Sequence, residues 1–138
     1  MIANKLGPGD EVRVVAPSRS QAIIKEHVHH HAMNFWNDSG YKLTFSENCR
    51  ELDKYDSSSI ASRVEDLHEA FRDPKVKMII SCVGGFNANQ LLPYLDYDLI
   101  RQNPKIFCGY SDITALLNAI YARTNLVTYH GPHFSTFG

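Results

Sequence analysis

The chain has 138 residues, of which 43% are hydrophobic and 21% are charged, and its formal net charge is −1. This length and composition are typical of one globular domain and exclude a wholly disordered chain. Because the sequence has no basic cluster and no run of about 18 apolar residues, we expect neither nucleic-acid binding nor a membrane span. The first residues lack the apolar stretch of a secretory signal, so the sequence predicts a cytoplasmic protein.

Cysteine and histidine spacing gives no sign of a bound metal. Cys49, Cys82 and Cys108 are odd in number and far apart, which argues against a disulfide framework or a thiolate zinc site. We expect all three to be reduced and buried. His27 and His31 share one face of a predicted helix but have no third ligand nearby, so we predict neither a metal nor a cofactor.

Apolar periodicity predicts strands and helices that alternate along the chain. In chain order these elements are a strand at 11–16, a helix at 20–37, a strand at 41–45, a loop at 46–56, a helix that serines 57–59 cap and Pro74 ends, a strand at 76–81, short helices at 89–92 and 97–102, a strand at 105–108, a helix through 113–121 and a strand at 126–129.

This alternation predicts an α/β fold. Strands separated by helices require crossover connections, and these produce a parallel sheet of about five strands with helices on both faces. The runs at 12–16 and 78–80 are continuous rather than alternating, as strands buried on both faces should be. We therefore expect a sheet like those of flavodoxins and of the N-terminal domains of class I glutamine amidotransferases.

Ligands of open parallel sheets bind beyond the carboxyl ends of the strands. The segments that follow the predicted strands hold much of the Gly, Ser and Pro of the chain. They are residues 17–20, 82–87, 109–112 and 130–133. Any catalytic or binding site is expected among these loops.

Ser111 is the sharpest candidate for a catalytic residue. It follows Gly109 where a strand ends and a helix begins, which is the position of a nucleophile elbow. The amide of Asp112 and an amide of the Gly84-Gly85 turn could then stabilise an oxyanion. The pattern is only half matched, since Ile113 stands where a second glycine is usual, and a helix-capping role for Ser111 or Asp112 remains open.

The chain has no convincing base for this serine. Only His130 and His133 follow the carboxyl end of a predicted strand, and a turn around Gly131-Pro132 explains them equally well. No carboxylate is evidently placed to orient either ring. A search for other chemistry finds no phosphate-binding or dinucleotide motif, although the Gly84-Gly85 turn could hold a phosphate or a flavin tail.

Five segments form a recognisable set, namely residues 9–18, 84–87, 91–97, 105–116 and 128–138. The likeness covers nearly the whole chain, and the Gly-Tyr-Ser-Asp-Ile-Thr block is highly specific. Together these segments resemble the LD-carboxypeptidase family of serine peptidases, and the last one resembles the branch that contains the microcin C self-immunity peptidases.

The resemblance implies that Ser111 is the acyl-forming nucleophile and that the amides of Asp112 and Gly85 form the oxyanion hole. Family members complete a Ser-Glu-His triad from a second, C-terminal domain, and nothing in this sequence matches those positions. We therefore expect residues 1–138 to form a single nucleophile-bearing N-terminal domain, inactive alone, in which His130 has only a structural role. Gly84, Phe86, Asn87 and Ser18 are the expected substrate-loop residues, in addition to Gly85.

The implied reaction is hydrolysis of an amide bond in a small peptide substrate. The bond is either the L,D bond of a murein tetrapeptide or the amide of a peptidyl-nucleotide, and the resemblance implies a homodimer for the full-length protein. The alternatives from other classes are a non-catalytic flavodoxin-like module, which binds a small anion through Ser18 and the Gly84-Gly85 turn, and an interaction fragment with an exposed apolar face.

Overall fold

Five parallel strands form the sheet at the centre of the molecule, which a computed structural model describes from Met1 to Gly138. The strands are β1 (Glu11–Val15), β2 (Lys42–Phe45), β3 (Val76–Ser81), β4 (Ile106–Gly109) and β5 (Tyr129–His130). Their order in the sheet is β2-β1-β3-β4-β5, the order of flavodoxin-like sheets. The predicted fold class is therefore confirmed.

Helices cover both faces of this sheet and enclose two apolar cores. Three helices supply the core on one face, and one helix with a C-terminal 3₁₀ turn supplies the other. The helices are α1 (Glu26–Asp38), α2 (Ile60–Arg72), α3 (Tyr97–Gln102) and α4 (Thr114–Thr124), and the 3₁₀ helices are Gln21–Ile23, Ala88–Tyr94, Ser111–Ile113 and Phe134–Phe137. α2, α3 and α4 share the first face, whereas α1 and Phe134–Phe137 lie on the second.

The central strands carry apolar side chains on both faces because each face meets one of the two cores. In β3, Ile79 belongs to the core of α2, α3 and α4, while Met78 and Ile80 belong to the core of α1. β1 behaves in the same way, with Val15 on the first side and Val14 on the second. Helices therefore cover both faces of the sheet, and the loops that follow the carboxyl ends of the strands remain at the surface.

The first helix begins later than its apolar pattern predicts. The expected helix at 20–37 starts only at Glu26, after a 3₁₀ turn over Gln21–Ile23. The prediction of its start is wrong because tertiary hydrogen bonds hold the preceding residues. The backbone N–H groups of Ser20 and Gln21 donate to carbonyls of the 46–56 loop, at 2.7 and 2.8 Å.

The last strand is shorter than predicted and lies nearer the C-terminus. We expected residues 126–129, whereas only Tyr129–His130 pair with β4. Leu126 is instead buried in the core of α4, and the N–H of Val127 donates to the carbonyl of Met1 at 2.8 Å. Apolar character at this point therefore reflects core packing rather than strand pairing.

A network of ion pairs lies beneath α2, around the buried guanidinium of Arg13. It binds the carboxylates of Glu11 at 2.9 Å, Asp73 at 3.3 Å and Glu69. Burial raises the pKa of Glu11, but hydrogen bonds from Thr44, Arg13 and Lys42 outweigh it and lower that pKa to about 2. The buried charge of Arg13 is thus compensated by three carboxylates.

Cys49, Cys82 and Cys108 are buried free thiols, as expected. Burial raises the pKa of the Cys49 thiol to about 11, so this cysteine is poorly suited to act as a nucleophile. No group of three or more His, Cys, Asp or Glu side chains converges in the manner of metal ligands. None of the helices has the length and apolar character that a membrane crossing requires.

Candidate active site

The loops that follow β1, β3, β4 and β5 meet around one open cavity at the carboxyl edge of the sheet. Its volume is about 260 Å³. Each of the four predicted loop segments contributes to its wall, which consists of Arg19, Gly84, Gly85, Phe86, Tyr110, Ser111 and His133. The position of the candidate site follows from the parallel topology.

Ser111 occupies a strained turn between β4 and α4. Its φ is 56°, a left-handed conformation that costs a non-glycine residue of the order of 1–3 kcal/mol. Gly109 makes the turn tight, because a Cβ at that position would lie 2.8 Å from Cγ2 of Ile113. The exposed Ser111 side chain makes no hydrogen bond within the chain, so its hydroxyl faces the cavity as the hydroxyl of a nucleophile elbow does.

The helix-capping alternative for Ser111 and Asp112 is wrong. Neither side chain bonds an N–H at the start of α4, whose N-cap position is Ile113. The Asp112 carboxylate instead accepts hydrogen bonds from the Ser18 hydroxyl at 2.5 Å and from the Ala88 N–H at 2.9 Å. Asp112 therefore ties together the loops that follow β1, β3 and β4.

Ser18 lies beneath the cavity rather than in its wall. Its side chain is fully buried, and its hydroxyl serves the Asp112 carboxylate. We expected Ser18 among the residues of the substrate loop, but the structure gives it a supporting position. Burial removes it from contact with any ligand in the cavity.

The buried guanidinium of Arg63, from α2, supports the same loops. It donates to the carbonyl oxygens of Pro17 and Asn87, each at 3.2 Å, and to the side chain of Gln90 at 2.7 Å. Burial lowers the pKa of Arg63. The sequence pattern missed this residue because an arginine on a helix is usually exposed, and only the tertiary structure shows its carbonyl partners.

Close packing leaves no room for a side chain at Gly85, whereas a Cβ at Gly84 would only touch its neighbours. A Cβ at Gly85 would lie 2.3 Å from the Ser18 hydroxyl oxygen, and a Cβ at Gly84 would lie 3.4 Å from Oγ of Ser111. Gly85 lies outside the helices and strands, and its N–H makes none of the loop hydrogen bonds of the chain. The N–H of Asp112 lies at the start of the helical segment that begins at Ser111. The role of these two amides as an oxyanion hole stays a prediction.

Neither candidate histidine is hydrogen-bonded to Ser111. His133 is buried, its ring stacks on Tyr110 at a centroid distance of 4.2 Å, and its Nε2 lies 3.0 Å from the Tyr110 carbonyl oxygen. Burial lowers the pKa of His133, which favours the neutral ring. His130 is exposed on β5. His133 is thus placed to hold the backbone immediately before Ser111.

A second cavity of about 270 Å³ adjoins the first. Arg19 and Phe86 line both cavities, and Tyr55 completes an aromatic wall. Phe86 and Tyr55 are 89% and 65% exposed. Of the expected substrate-loop residues, Gly84 lines the first cavity, Asn87 lines the second and Phe86 lines both. The sequence did not single out three other lining residues, which are Arg19, Tyr55 and Gln90. Of these, Arg19 does follow a predicted strand.

A serine on a strained turn at the carboxyl edge of a parallel sheet defines an α/β domain with a nucleophile-elbow geometry. Comparison with known proteins then identifies the family. The model of the LD-carboxypeptidase N-terminal domain matches residues 12–131. The chain belongs to this family.

Solved structures and relatives agree with this assignment. An MccF-like protein from Bacillus anthracis is 58% identical with a TM-score of 0.98, and the match covers 99% of this chain and 42% of that one. The microcin self-immunity protein MccF in complex with aspartyl sulfamoyl adenosine is 37% identical with a TM-score of 0.92, covering 97% of this chain and 40% of that one.

A Bacillus subtilis protein named as a murein peptide carboxypeptidase is 39% identical over 131 residues, which are 95% of this chain and 40% of that protein. The chain thus spans about two fifths of the length of the relatives it matches.

Proposed function

We propose that this chain carries the nucleophile of a serine peptidase that hydrolyses an amide bond in a small peptide substrate. One observation carries the proposal: Ser111 stands at φ 56° on a strand-to-helix turn, with its hydroxyl unbonded and facing a cavity. Membership of the LD-carboxypeptidase family supports the same role. Ser111 is the proposed acyl-forming residue.

The proposed reaction has two steps. The Ser111 oxygen attacks the carbonyl carbon of the substrate, the C–N bond breaks, and the departing nitrogen takes up a proton. Water then attacks the acyl ester, and the carboxylic acid leaves while Ser111 regains its proton. The amides of Gly85 and Asp112 are the proposed donors to the oxyanion of both tetrahedral intermediates.

The base that accepts the Ser111 proton is proposed to be a histidine oriented by a glutamate, as the family resemblance implies, from residues outside this chain. Two observations support that view. Nε2 of His133 lies within hydrogen-bond distance of the Tyr110 backbone, and His130 makes no hydrogen bond to Ser111. We accordingly propose that residues 1–138 alone hydrolyse no peptide at a measurable rate.

The proposed substrate is either the L,D bond of a murein tetrapeptide or the amide of a peptidyl- or aminoacyl-nucleotide. Relatives named for each type support the two choices, since one is named as a murein peptide carboxypeptidase and another is solved with aspartyl sulfamoyl adenosine. In both substrates the acyl group is a small peptide or an amino acid. The group released differs, and it is an amino acid in one case and a nucleotide in the other.

The test is hydrolysis by the full-length protein, followed by chromatography of the products. Substrates are a murein tetrapeptide and an aspartyl-nucleotide amide, and we expect cleavage of at least one. The Ser111→Ala variant should cleave neither while remaining folded. Absence of cleavage of both substrates by folded wild-type protein would refute the proposed function.

A further inference from the structure

Arg19 is the one cationic side chain that reaches the cavity of Ser111. It lines both this cavity and the adjoining aromatic one, whereas no Asp or Glu lines either of them. His133, the other titratable group of the Ser111 cavity besides Tyr110, has a pKa lowered by burial. The two cavities therefore share one permanent positive charge.

The charge of Arg19 has no partner within the chain. No carboxylate lies within ion-pair distance of it, whereas Arg13, Arg72 and Arg101 each pair with at least one. Its Nε donates to the carbonyl oxygen of Gly84 at 3.3 Å, and the two terminal nitrogens make no hydrogen bond. An arginine whose terminal donors are unused at a cavity wall is suited to bind a carboxylate or another planar anion.

The position of Arg19 is fixed from two sides. Its backbone N–H donates to the Gly84 carbonyl at 3.4 Å, and the residue forms an antiparallel bridge with Ser57. A Cβ at Gly85 would lie 2.8 Å from Cγ of Arg19, so the stem of the side chain passes directly beside the proposed oxyanion donor. The guanidinium bonds to Gly84, and Arg19 lines the same cavity as Ser111, so an anion that it holds lies in the cavity of the proposed nucleophile.

We infer that Arg19 binds an acidic group that the substrate carries next to the scissile amide, on the side of the departing nitrogen. This inference rests on the proposed function. A C-terminal amino acid carries its carboxylate one carbon from that nitrogen. In an amino-acylated nucleotide the sulfur or phosphorus is bonded directly to the nitrogen, so its oxygens lie one atom closer. The shared chemistry is an oxyanion adjacent to the departing nitrogen.

The aromatic cavity accommodates the part of the substrate that is attached to this acidic group on the side away from the scissile amide. Phe86 and Tyr55 expose most of their surface beside Arg19, and Gln90 supplies an amide at the same wall. A planar base can stack on such rings, whereas a terminal amino acid leaves the aromatic cavity empty. Arg19 recognises the acidic group in both substrate types, and the aromatic cavity distinguishes them.

The experiment measures KM and kcat of the full-length protein for a peptide with a free C-terminal carboxylate and for the same peptide as its carboxamide. A parallel arm uses an aspartyl-nucleotide amide. The variants are Arg19→Gln and Arg19→Lys, with Arg101→Gln, which alters an exposed ion pair away from both cavities, as the matched control.

Arg19→Gln should raise KM for the carboxylate peptide by about 10- to 100-fold, the value of a charge-assisted hydrogen-bonded pair. Cleavage of the carboxamide should change by less than about 3-fold. Arg19→Lys should restore part of the loss, and Arg101→Gln should change nothing. Equal losses on the carboxylate and the carboxamide, or no loss on either, would overturn the inference.

Binding to the Ser111→Ala variant separates this inference from the proposed function. Calorimetric titration should show that the carboxylate peptide or the nucleotide substrate binds more tightly than a neutral analogue, and that adding Arg19→Gln removes the preference. If wild-type protein hydrolyses nothing but this preference is present, only the proposed function fails. If hydrolysis occurs without such a preference, only the role of Arg19 fails.

Discussion

Arg13 and Arg19 stand near each other in the sequence and differ completely in their surroundings. Arg13, in the middle of β1, is buried among three carboxylates. Arg19 follows the end of the same strand, and its charge faces two cavities with no carboxylate partner. In the region beneath α2, carboxylates compensate the buried charge, whereas at the carboxyl edge the charge of Arg19 remains available for a ligand.

The largest expected effect is at the carboxyl edge. Replacing Ser111 by Ala should lower kcat of the full-length protein by about 10⁴-fold or more, because the nucleophile is lost. The free energy of unfolding should stay within about 0.5 kcal/mol, since the hydroxyl makes no hydrogen bond within the chain. Kinetic assays and urea unfolding measure the two quantities.

The Ser111→Gly variant is the control for strain. Glycine adopts a positive φ without cost, so this variant should be equally inactive yet more stable by about 1 kcal/mol. A clear loss of stability in Ser111→Ala would show that this serine has a structural role. The carboxyl edge would then no longer differ in this respect from the region beneath α2.

The next largest effect concerns the region beneath α2. Arg13→Met keeps the length of the side chain but leaves Glu11 buried without its guanidinium, so we expect a loss of about 3–5 kcal/mol in the free energy of unfolding. Arg72→Met removes only an exposed pair with Glu65 and should cost less than about 1 kcal/mol. Equal effects in urea unfolding would contradict the structural role of Arg13.

Gly85→Ala should affect stability and activity together. Its Cβ would meet the Ser18 oxygen at 2.3 Å, so the bond from Ser18 to Asp112 must shift. We expect a loss of about 1–3 kcal/mol from overpacking, with reduced kcat. Gly7→Ala is the matched control, because its Cβ would meet only ordinary van der Waals contact at 3.7 Å. A fully active Gly85→Ala variant would show that this turn does not shape the site.

Acid should weaken the region beneath α2 through Glu11. Its pKa is about 2 in the folded chain and 4.5 without these contacts, so its contribution to stability is present above pH 4.5 and is lost as the pH falls towards 2. Glu11→Gln should flatten this part of the pH profile in urea unfolding. An unchanged profile would show that protonation of Glu11 does not cause the loss of stability in acid.

The smallest effect is expected from His133. Burial lowers its pKa below 6.5 in the folded chain, so its contribution is present above pH 6.5 and declines as the pH falls below that value. His29 and His68, whose pKa values are also lowered by burial, contribute with the same sign. His133→Gln should therefore reduce, but not abolish, the slope of stability between pH 5 and pH 6.5. An identical slope would show that His133 does not contribute to the pH dependence of stability in this range.

The sequence predicted best those elements that local pattern and burial specify together. The strand at 76–81 and the helix at 97–102 have the predicted bounds. The strand has a strong apolar pattern, and the helix begins after the Asp96 cap and ends before Pro104. The predicted start of α1 was wrong because hydrogen bonds from Ser20 and Gln21 to a distant loop override helical spacing. Hydrogen bonds to a distant loop leave no periodic pattern in the sequence.

The candidate site was predictable to the extent that topology determines it. Parallel strands bring the ends of β1, β3, β4 and β5 together, so Ser111 and the Gly84-Gly85 turn were expected to be neighbours. Tyr55 and Arg63 were not predictable in this way. They reach the site only because the 46–56 loop and α2 fold against the loop that follows β1.

Covalent labelling tests the central claim, that Ser111 is the nucleophile, most directly. The full-length protein is treated with a serine-reactive phosphonate, digested and mapped by mass spectrometry. We predict one adduct, on the peptide that contains Ser111, which is absent from the Ser111→Ala variant and is suppressed by substrate. Labelling of another serine, or no labelling of a protein that cleaves its substrate, would contradict the claim.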